Sequence, residues 1–529
     1  MSKELSSKEY AEKEKHLLEQ VISTKQYKEL QSDEKQKLIG IVEKFLKDKR
    51  LVCYGGTAIN NLLPPSKQFY KNTEFPDYDF FSPNALEDAK RLTNIYYKAG
   101  FRDTYSKTAV HPGTYKVYAG DEAVADITQM DKSLFKKVQE NSETRDGIHY
   151  CPIDFLRMNM YLELSRPAGD ISRWTKVHTR LLLFDETYPF NTKSCTEQWY
   201  DKQNNAILDD MQSRTEENYR ENEMVFRKAT DYCRAIGAVF FGSLAMEQYG
   251  THLIEKSHRF DTFKYFMVFV DNLERRTRAL SNVLMTMENV KKVEVVQSEG
   301  IVKLIPSHNI IYITDSKNIK EPIAIMFQTE ACYSYNEIQL RGKPMRIASI
   351  ETLMNMYLAF QYDEDKVDEK IINKSHLMCA ASELYKIQKE NRLAQRGVLK
   401  RFSLNCYGHE HTLSEIMKYK KIKVKEFSKD KDSKEYESWA LNYQPAEIDA
   451  KKKAEKEIDN EKKVKKEIVK TKKRSIKSTV KKNVNKRKTK KRKTTKRKNS
   501  KSKSKSKSKS KSKSKSKSKS KSKSKSKST

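Results

Sequence analysis

A chain of 529 residues has room for several domains and a sizeable core. Its formal charge of +35 invites a nucleic-acid reading, but the charge is not spread over the chain. Residues 462–529 hold 35 Lys and Arg and one acid, Glu467; taking these from totals of 106 and 71 leaves 71 bases against 70 acids in residues 1–461. The N-terminus MSKELSSKEYAEKEKHLLEQ has no apolar core, and the most apolar runs, Ala238–Met246 and Phe263–Val270, fall far short of a bilayer span. A secreted or membrane protein is therefore not expected.

Residues 1–50 read as helix, with Leu38, Ile41, Val42, Phe45 and Leu46 at helical spacing and Ser32 or Asp33 as the cap. Leu51–Tyr54 reads as a short buried strand, broken by Gly55-Gly56. A short helix over Thr57–Leu63 follows and is stopped by Pro64-Pro65. Tyr78–Phe81 is a second strand and Asn84–Gly100 a second amphipathic helix. Alternating residues predict strands around Thr114–Tyr118 and Ala123–Thr128, and helical patterning resumes near Ile153. Seven cysteines, Cys53, Cys151, Cys195, Cys233, Cys332, Cys379 and Cys406, are odd in number and scattered, without C-x₂-C spacing. They read as reduced thiols of a cytosolic protein, forming neither a zinc site nor a disulfide framework.

The second half repeats the plan of the first. CYGGTAI around Gly55 has a counterpart in FFGSLAM around Gly242, at an offset of 187. The same offset lays Asn84–Glu87 on Asp271–Glu274 without a gap. EAVADITQ (Glu122–Gln129) resembles EPIAIMFQ (Glu321–Gln328) at 199, and Asn159–Leu162 resembles Asn355–Leu358 at 196. Four likenesses in one order imply two domain-sized copies of one fold. The expected division is a first domain over 1–190, a helical linker over 191–225 and a second domain over 226–443. A tail over 444–529, ending in a Ser-Lys alternation, is too poor in apolar residues to fold and is expected to be disordered.

The first copy carries the residues of phosphoryl-transfer chemistry. That chemistry needs positioned oxygens and neutralised charge, which paired divalent cations held by carboxylates supply. Asp77 and Asp79, at i and i+2 of an extended segment, would project to one face. Asp126 in VADIT would bring a third carboxylate from a neighbouring strand. Gly55, Gly56 and Thr57 close a strand and open a helix, where backbone can approach a phosphate and free amides favour an anion. In the second copy the same offsets place Asp77 on Lys264, Asp79 on Phe266 and Asp126 on Ile325, so that copy should be inert.

The order strand, Gly-Gly, helix, Asp-x-Asp, then a lone Asp on a later strand resembles the nucleotidyltransferase superfamily of poly(A) polymerases, CCA-adding enzymes and polymerase β. LVCYGGTAINNLLP and PDYDFFS, with the tandem layout, resemble the poly(A) polymerase catalytic subunits of giant, mimivirus-type viruses over residues 1 to about 440, poxvirus enzymes being more distant. The resemblance implies an α+β fold of two tandem nucleotidyltransferase-like domains, each a mixed sheet with flanking helices, the second degenerate. It implies Asp77, Asp79 and Asp126 as ligands of Mg²⁺ or Mn²⁺, and Gly55, Gly56 and Thr57 as the turn that binds the triphosphate. It implies ATP as substrate, an RNA 3′ end as partner, a homodimer as one expected assembly, and residence in the host cytoplasm and the virion. The turn departs from many relatives, which carry Gly-Ser; this leaves the hydroxyl contact of Thr57 open. Other untemplated transferases and a non-catalytic RNA-binding pseudoenzyme are the alternatives.

Arg157, Arg166, Arg173, Lys176 and Arg180 are expected on solvated helix or loop surface, with contact of some to the triphosphate or to RNA phosphates as the other reading. The basic tail reads as an RNA tether, with a packaging segment, an import signal and a solubility tail as competing readings.

Overall fold

The computed structural model describes residues 7–70, 74–190, 195, 216–252, 265–340, 342–363 and 374–491. Residues 1–448 form one compact unit, built on two eight-stranded mixed sheets. The helix expected over residues 1–50 is two: α1 (Ser7–Leu30), with no buried residue, and α2 (Asp33–Lys49). Ser32 is the cap between them, its hydroxyl accepting from the Lys35 amide. Leu38, Val42, Phe45 and Leu46 of α2 are buried, as their spacing predicted.

The first sheet takes β1 (Val52–Tyr54), β2 (Tyr78–Ser82), β3 (Tyr105–Thr108), β4 (Thr114–Ala119), β5 (Glu122–Gln129), β6 (Glu143–Arg145) and β7 (Ile148–Tyr150). Helix α3 (Gly55–Leu62) leaves β1 directly and α4 (Ala85–Lys98) follows β2. The hairpin β6–β7 was not foreseen, because three-residue strands carry too little alternation to read. α5 (Lys132–Glu140) precedes it, and α6 (Ile153–Leu164) and α7 (Trp174–Thr187) follow. The second sheet takes β8 (Val239–Phe241), β9 (Phe266–Val270), β10 (Val290–Ser298), β11 (His308–Asp315), β12 (Lys320–Gln328), β13 (Tyr333–Leu340) and β14 (Lys343–Ala348).

The two sheets share one topology. The order β3-β4-β5-β2-β1-β7-β6 matches β10-β11-β12-β9-β8-β14-β13 strand for strand. Both have parallel central pairs, β2–β5 and β1–β7 against β9–β12 and β8–β14, with the remaining matched pairs antiparallel. Each adds one edge strand: β15 (Cys406–Tyr407) pairs with β13, and β16 (Asn442–Tyr443) pairs with β3. The segment ending at residue 443 thus returns to the first sheet, where Lys90 pairs with Glu437 and Asn94 bonds Tyr443. The copies meet through matching helices: α6 packs on the helix Ile350–Phe360, whose eleven residues are all buried. There the Asn355 amide donates to the Met158 carbonyl at 3.3 Å.

Strand pairing corrects the offset by one residue beyond the glycine turn. Tyr54 faces Asp79 across β1–β2, and Phe241 faces Met267 across β8–β9. Asp79 faces Asp126, and Met267 faces Ile325. The counterpart of Asp79 is therefore Met267 rather than Phe266, and that of Asp77 is Tyr265 rather than Lys264, which lies outside the described residues. The side-chain amide of Gln129 accepts from the Ala85 amide as that of Gln328 accepts from Leu273, again 188 apart. The gapless match of Asn84–Glu87 to Asp271–Glu274 is thus one residue out of register, and in a strand such a slip turns every side chain to the other face.

Two further expectations change. The tail composition excludes a packed core but not a local helix, and Pro445–Lys491 is helical. Proline suits the first helical position, and Ala, Glu and Lys are strong helix formers. Residues 492–529, with the whole Ser-Lys run, lie outside the described residues, as does most of the 191–225 linker. The thiols at 195 and 379, and at 332 and 406, are brought together as disulfides, with Cα–Cα separations of 5.5 and 5.3 Å. Their sequence separations of 184 and 74 residues hide this juxtaposition. Cys53, Cys151 and Cys233 are buried free thiols. No described helix is long and apolar enough to cross a membrane.

Candidate functional site

The candidate site lies where β1, β2 and β5 run side by side. β1 ends in Tyr54, whose ring stacks on Phe81 at 4.0 Å, and the chain then turns at Gly55, φ +75°, into α3. A side chain at Gly55 would strike the Asp79 carboxylate, 2.4 Å from a Cβ placed there. The glycine is thus required twice, by its backbone angle and by the closeness of the carboxylate. At Gly56 a Cβ would lie 2.1 Å from the Tyr70 hydroxyl and 3.0 Å from a guanidinium nitrogen of Arg180. The Gly-Gly pair lets an acid approach from one side and a base from the other.

Thr57 serves differently from its expected role. Its hydroxyl is buried and donates to the Asp77 carbonyl at 2.6 Å. The side chain therefore ties the approach to β2 against α3, and its hydroxyl is already engaged within the protein.

Asp79 and Asp126 are direct partners on the parallel pair β2–β5, and Asp77 lies one residue before β2. Burial pushes the Asp79 carboxyl up to about 7, with the charges of Asp77 and Asp126 adding to it and Lys116 and Arg173 opposing. Asp77 is raised too, by burial first and then by Asp126, against Lys116. Lys116, facing Asp126 across β4–β5, donates to Asp126 Oδ2, while Asp126 Oδ1 is buried without a hydrogen-bond partner. The three oxygen sets do not form one tight cluster: among the described residues, the group of three whose ligand atoms all lie within 4.8 Å of one another is His409, His411 and Glu415. Like charges hold carboxylates apart, and Lys116 draws one oxygen of Asp126 aside. Three hard oxygen donors, one with an orphaned buried atom, nonetheless suit a hard divalent cation such as Mg²⁺ or Mn²⁺.

The raised Asp79 value makes a stability prediction. The carboxyl titrates near 3.8 when unfolded and near 7 when folded, so the folded chain holds the extra proton. Stability is then greatest below the unfolded value and falls as pH rises through 7. In chelator at pH 8, Asp79→Asn is expected to be more stable than the parent by about 1–3 kcal/mol, the difference vanishing below pH 4. Denaturant unfolding across that range checks it.

The basic residues divide in two. Arg157, expected on the surface, is 1% exposed: it pairs with Asp185 at 2.7 Å and with Asp154, and lies 4.1 Å over the Phe190 ring. It holds α6 to α7. Arg166 is tied to the second half, beside Glu410 at 3.6 Å. Arg173, Lys176 and Arg180, at i, i+3 and i+7, share one side of α7 and the turn before it. Arg180 packs 4.3 Å over Phe69, bonds the Tyr70 hydroxyl at 3.0 Å and reaches the Gly56 turn. The Lys176 ammonium is held below its usual range, by the Arg180 charge first, then burial and Arg173. Cations crowded enough to repel one another beside a glycine turn make a ready anion site. Arg173 and Lys176 are exposed, as expected, and Arg173 also pairs with Glu163 at 2.7 Å, whereas Arg180 is buried.

One comparison with known proteins falls on this region. Residues 40–170 match the family model of the poly(A) polymerase catalytic subunit. That stretch holds the glycine turn and all three aspartates, so the resemblance seen in those motifs is shown there. A protein of Acanthamoeba polyphaga mimivirus named as a poly(A) polymerase catalytic subunit is 30% identical over 165 residues, 30% of this chain and 27% of its own length. One of African swine fever virus, named likewise, is 30% identical over 171 residues, 31% of this chain and 36% of its own length. The matched stretch thus spans about a third of these relatives. The crystal structure of the Megavirus polyadenylate synthase superposes with a TM-score of 0.65 at 18% identity, covering 85% of this chain and 88% of that one. Its likeness is one of fold, and it extends over both sheets.

Proposed function

We propose that this chain is a template-independent poly(A) polymerase that transfers AMP from ATP to an RNA 3′ end. The observation that carries the proposal is the meeting of Gly55, Asp79 and Asp126 on neighbouring strands, within the stretch that matches the family model. The 3′ hydroxyl attacks the α-phosphorus, a P–O bond forms, and the bond to pyrophosphate breaks. The free amides at the start of α3 and the cations Arg173, Lys176 and Arg180 hold the triphosphate and take up charge on the leaving pyrophosphate. Asp77, Asp79 and Asp126 would hold Mg²⁺ or Mn²⁺, which would supply Lewis-acid activation and charge neutralisation. The proton of the attacking hydroxyl passes to solvent water.

In the second copy Met267 and Ile325 stand where Asp79 and Asp126 stand in the first. All five positions of β9 are buried, whereas β2 alternates, so that sheet trades its carboxylate edge for core. It supports the first copy through α6 and takes no part in the chemistry. The choice of RNA, a homodimeric state, and residence in the host cytoplasm and virion follow from the same reading of the family. Tethering of RNA by the basic tail rests instead on the charge of residues 462–529.

The test is extension of a labelled RNA primer with each nucleotide offered alone. ATP should give long products, and the other three should give roughly tenfold less or lower extension. Equal use of all four would reject the adenylate assignment, and no extension with any would favour the non-catalytic reading.

A further inference from the structure

Cys406–Thr412 reads CYGHEHT, and nearly every residue of this turn is fastened to the rest of the chain. Cys406 is joined to Cys332. Tyr407 pairs with Tyr333 in β15–β13, and its hydroxyl accepts from the Asp271 amide at 3.1 Å. Gly408, φ +105°, presses against the Ala331 carbonyl, 2.1 Å from where a Cβ would stand. Glu410 turns inward, accepting from the Cys332 amide at 3.2 Å and lying 3.6 Å from Arg166. With Glu410 anchored, its neighbours His409 and His411 are both left exposed, their rings 5.2 Å apart and nearly perpendicular.

Four residues on, Glu415 in the first turn of the helix Leu413–Phe427 completes the set. Its Oε2 accepts from the Thr412 amide at 2.8 Å and the Thr412 hydroxyl at 2.9 Å, in a capping box. Those bonds fix the carboxylate so that Oε1 lies 3.1 Å from His409 Nε2. One atom from each of the three side chains lies within 4.8 Å of the others. A tetrahedral ion with bonds near ~2.1 Å needs ligand separations of roughly 3.4 Å, which rotation of exposed side chains can reach without moving backbone.

We propose that His409, His411 and Glu415 form a binding site for a transition-metal divalent cation, Zn²⁺ above all. Two imidazoles and one carboxylate suit a borderline cation, and the all-oxygen preference of Mg²⁺ and Ca²⁺ disfavours them there. Thr412 orients the Glu415 carboxylate as outer partners do in metal sites. Three protein ligands leave the fourth position to water. The positive end of the helix opposes a cation, and the Glu415 charge at that end offsets it. An ion bound here ties the disulfide-anchored turn to the helix Leu413–Phe427, whose Lys420 donates to Thr108 Oγ1 and the Ala109 carbonyl at 2.8 and 2.7 Å. The site is distinct from the aspartate cluster, and it stands whether or not the chain is a polymerase.

The experiment uses the full chain without thiol reductant, loaded with Zn²⁺ and passed through gel filtration, with metal content and competition against a chromophoric chelator as readouts. The parent is expected to hold one Zn²⁺ per chain more than His409→Ala/His411→Ala, and millimolar Mg²⁺ should not displace it. Glu415→Gln keeps a capping-box partner but loses the charged ligand, and should weaken Zn²⁺ by about tenfold or more. Equal zinc in parent and double variant, unchanged affinity in Glu415→Gln, or displacement by Mg²⁺ would each overturn the proposal. Ion binding at the aspartates is common to all three proteins and cancels in the comparison.

Discussion

Asp79→Ala is expected to lower primer extension with ATP by roughly a thousandfold or more. Asp79 is the carboxylate pressed against the Gly55 turn and paired with Asp126, so it lies where the glycine turn meets the acidic residues. Its burial and its acidic neighbours already push its carboxyl up to about 7, so the chain carries an unfavourable charge at neutral pH. Such a cost is repaid when a cation binds, which makes this carboxylate central to recruiting one. Removal of the side chain should therefore leave the fold intact while abolishing turnover. Rate measurements at saturating ATP with Mg²⁺ or Mn²⁺ check it, with thermal unfolding as the control for folding. Met267→Ala, at the matching position of the second sheet, should cost stability and leave turnover near that of the parent. Turnover lost equally in both variants would mean that the aspartate acts only through packing.

Gly55→Ala is expected to cost about 100-fold in rate, because displacing a reacting group by an ångström is worth that much. The added methyl must adopt φ +75° and would meet Asp79 Oδ2 at 2.4 Å, so the carboxylate or the turn must shift. The backbone strain alone costs roughly 1–2 kcal/mol. Gly242→Ala supplies the matched control. Gly242 has φ +74°, and its Cβ would meet the flexible Met267 side chain at 3.0 Å. The two variants pay the same backbone strain, and only the first moves a functional carboxylate. Similar losses of stability with a rate loss confined to Gly55→Ala would separate the two roles of the repeated turn.

Much of the site was legible because its signals are local. A strand closed by two glycines, a helix stopped by prolines and an Asp-x-Asp are short patterns, each governed by backbone geometry within a few residues. Asp79 and Asp126 accordingly face each other on β2 and β5, with Gly55 just past β1 against Asp79 and Asp77 one residue before β2. The repeat was legible as well, but its register was not. The chain gains one residue between Gly242 and Met267 relative to the first copy, and only hydrogen-bonded pairing reveals on which side of the turn that residue falls. Thr57 could be placed at the turn, yet the nearer acceptor at Asp77 decides where its hydroxyl goes.

Arg157 and Arg180 mark the remaining boundary between what is local and what is not. Both sit on helices with polar residues nearby, and both read as solvated. One is sealed against Asp185 and Phe190, and the other is folded over Phe69 beside the glycine turn. Their partners lie 28 and 111 residues away, beyond the reach of any periodic pattern. The disulfides and the His409, His411 and Glu415 group escaped for related reasons. Bonding between cysteines depends on Cα atoms brought within about 6 Å, and a short H-x-H becomes informative only once the intervening Glu410 is seen turned inward, away from the two exposed histidines.

By itself the amino-acid order determined the duplicated α+β plan, the glycine turn, the carboxylates of the first copy and their loss from the second. These depend on residue type and short-range spacing, which backbone sterics translate directly into strand, turn and helix. Tertiary structure alone decided the register of the repeat, the facing of the arginines, the pairing of distant cysteines and the return of residues 434–443 to the first sheet. Each of these depends on which surfaces meet when two sheets and their helices bury one another, and no stretch of chain carries that information on its own.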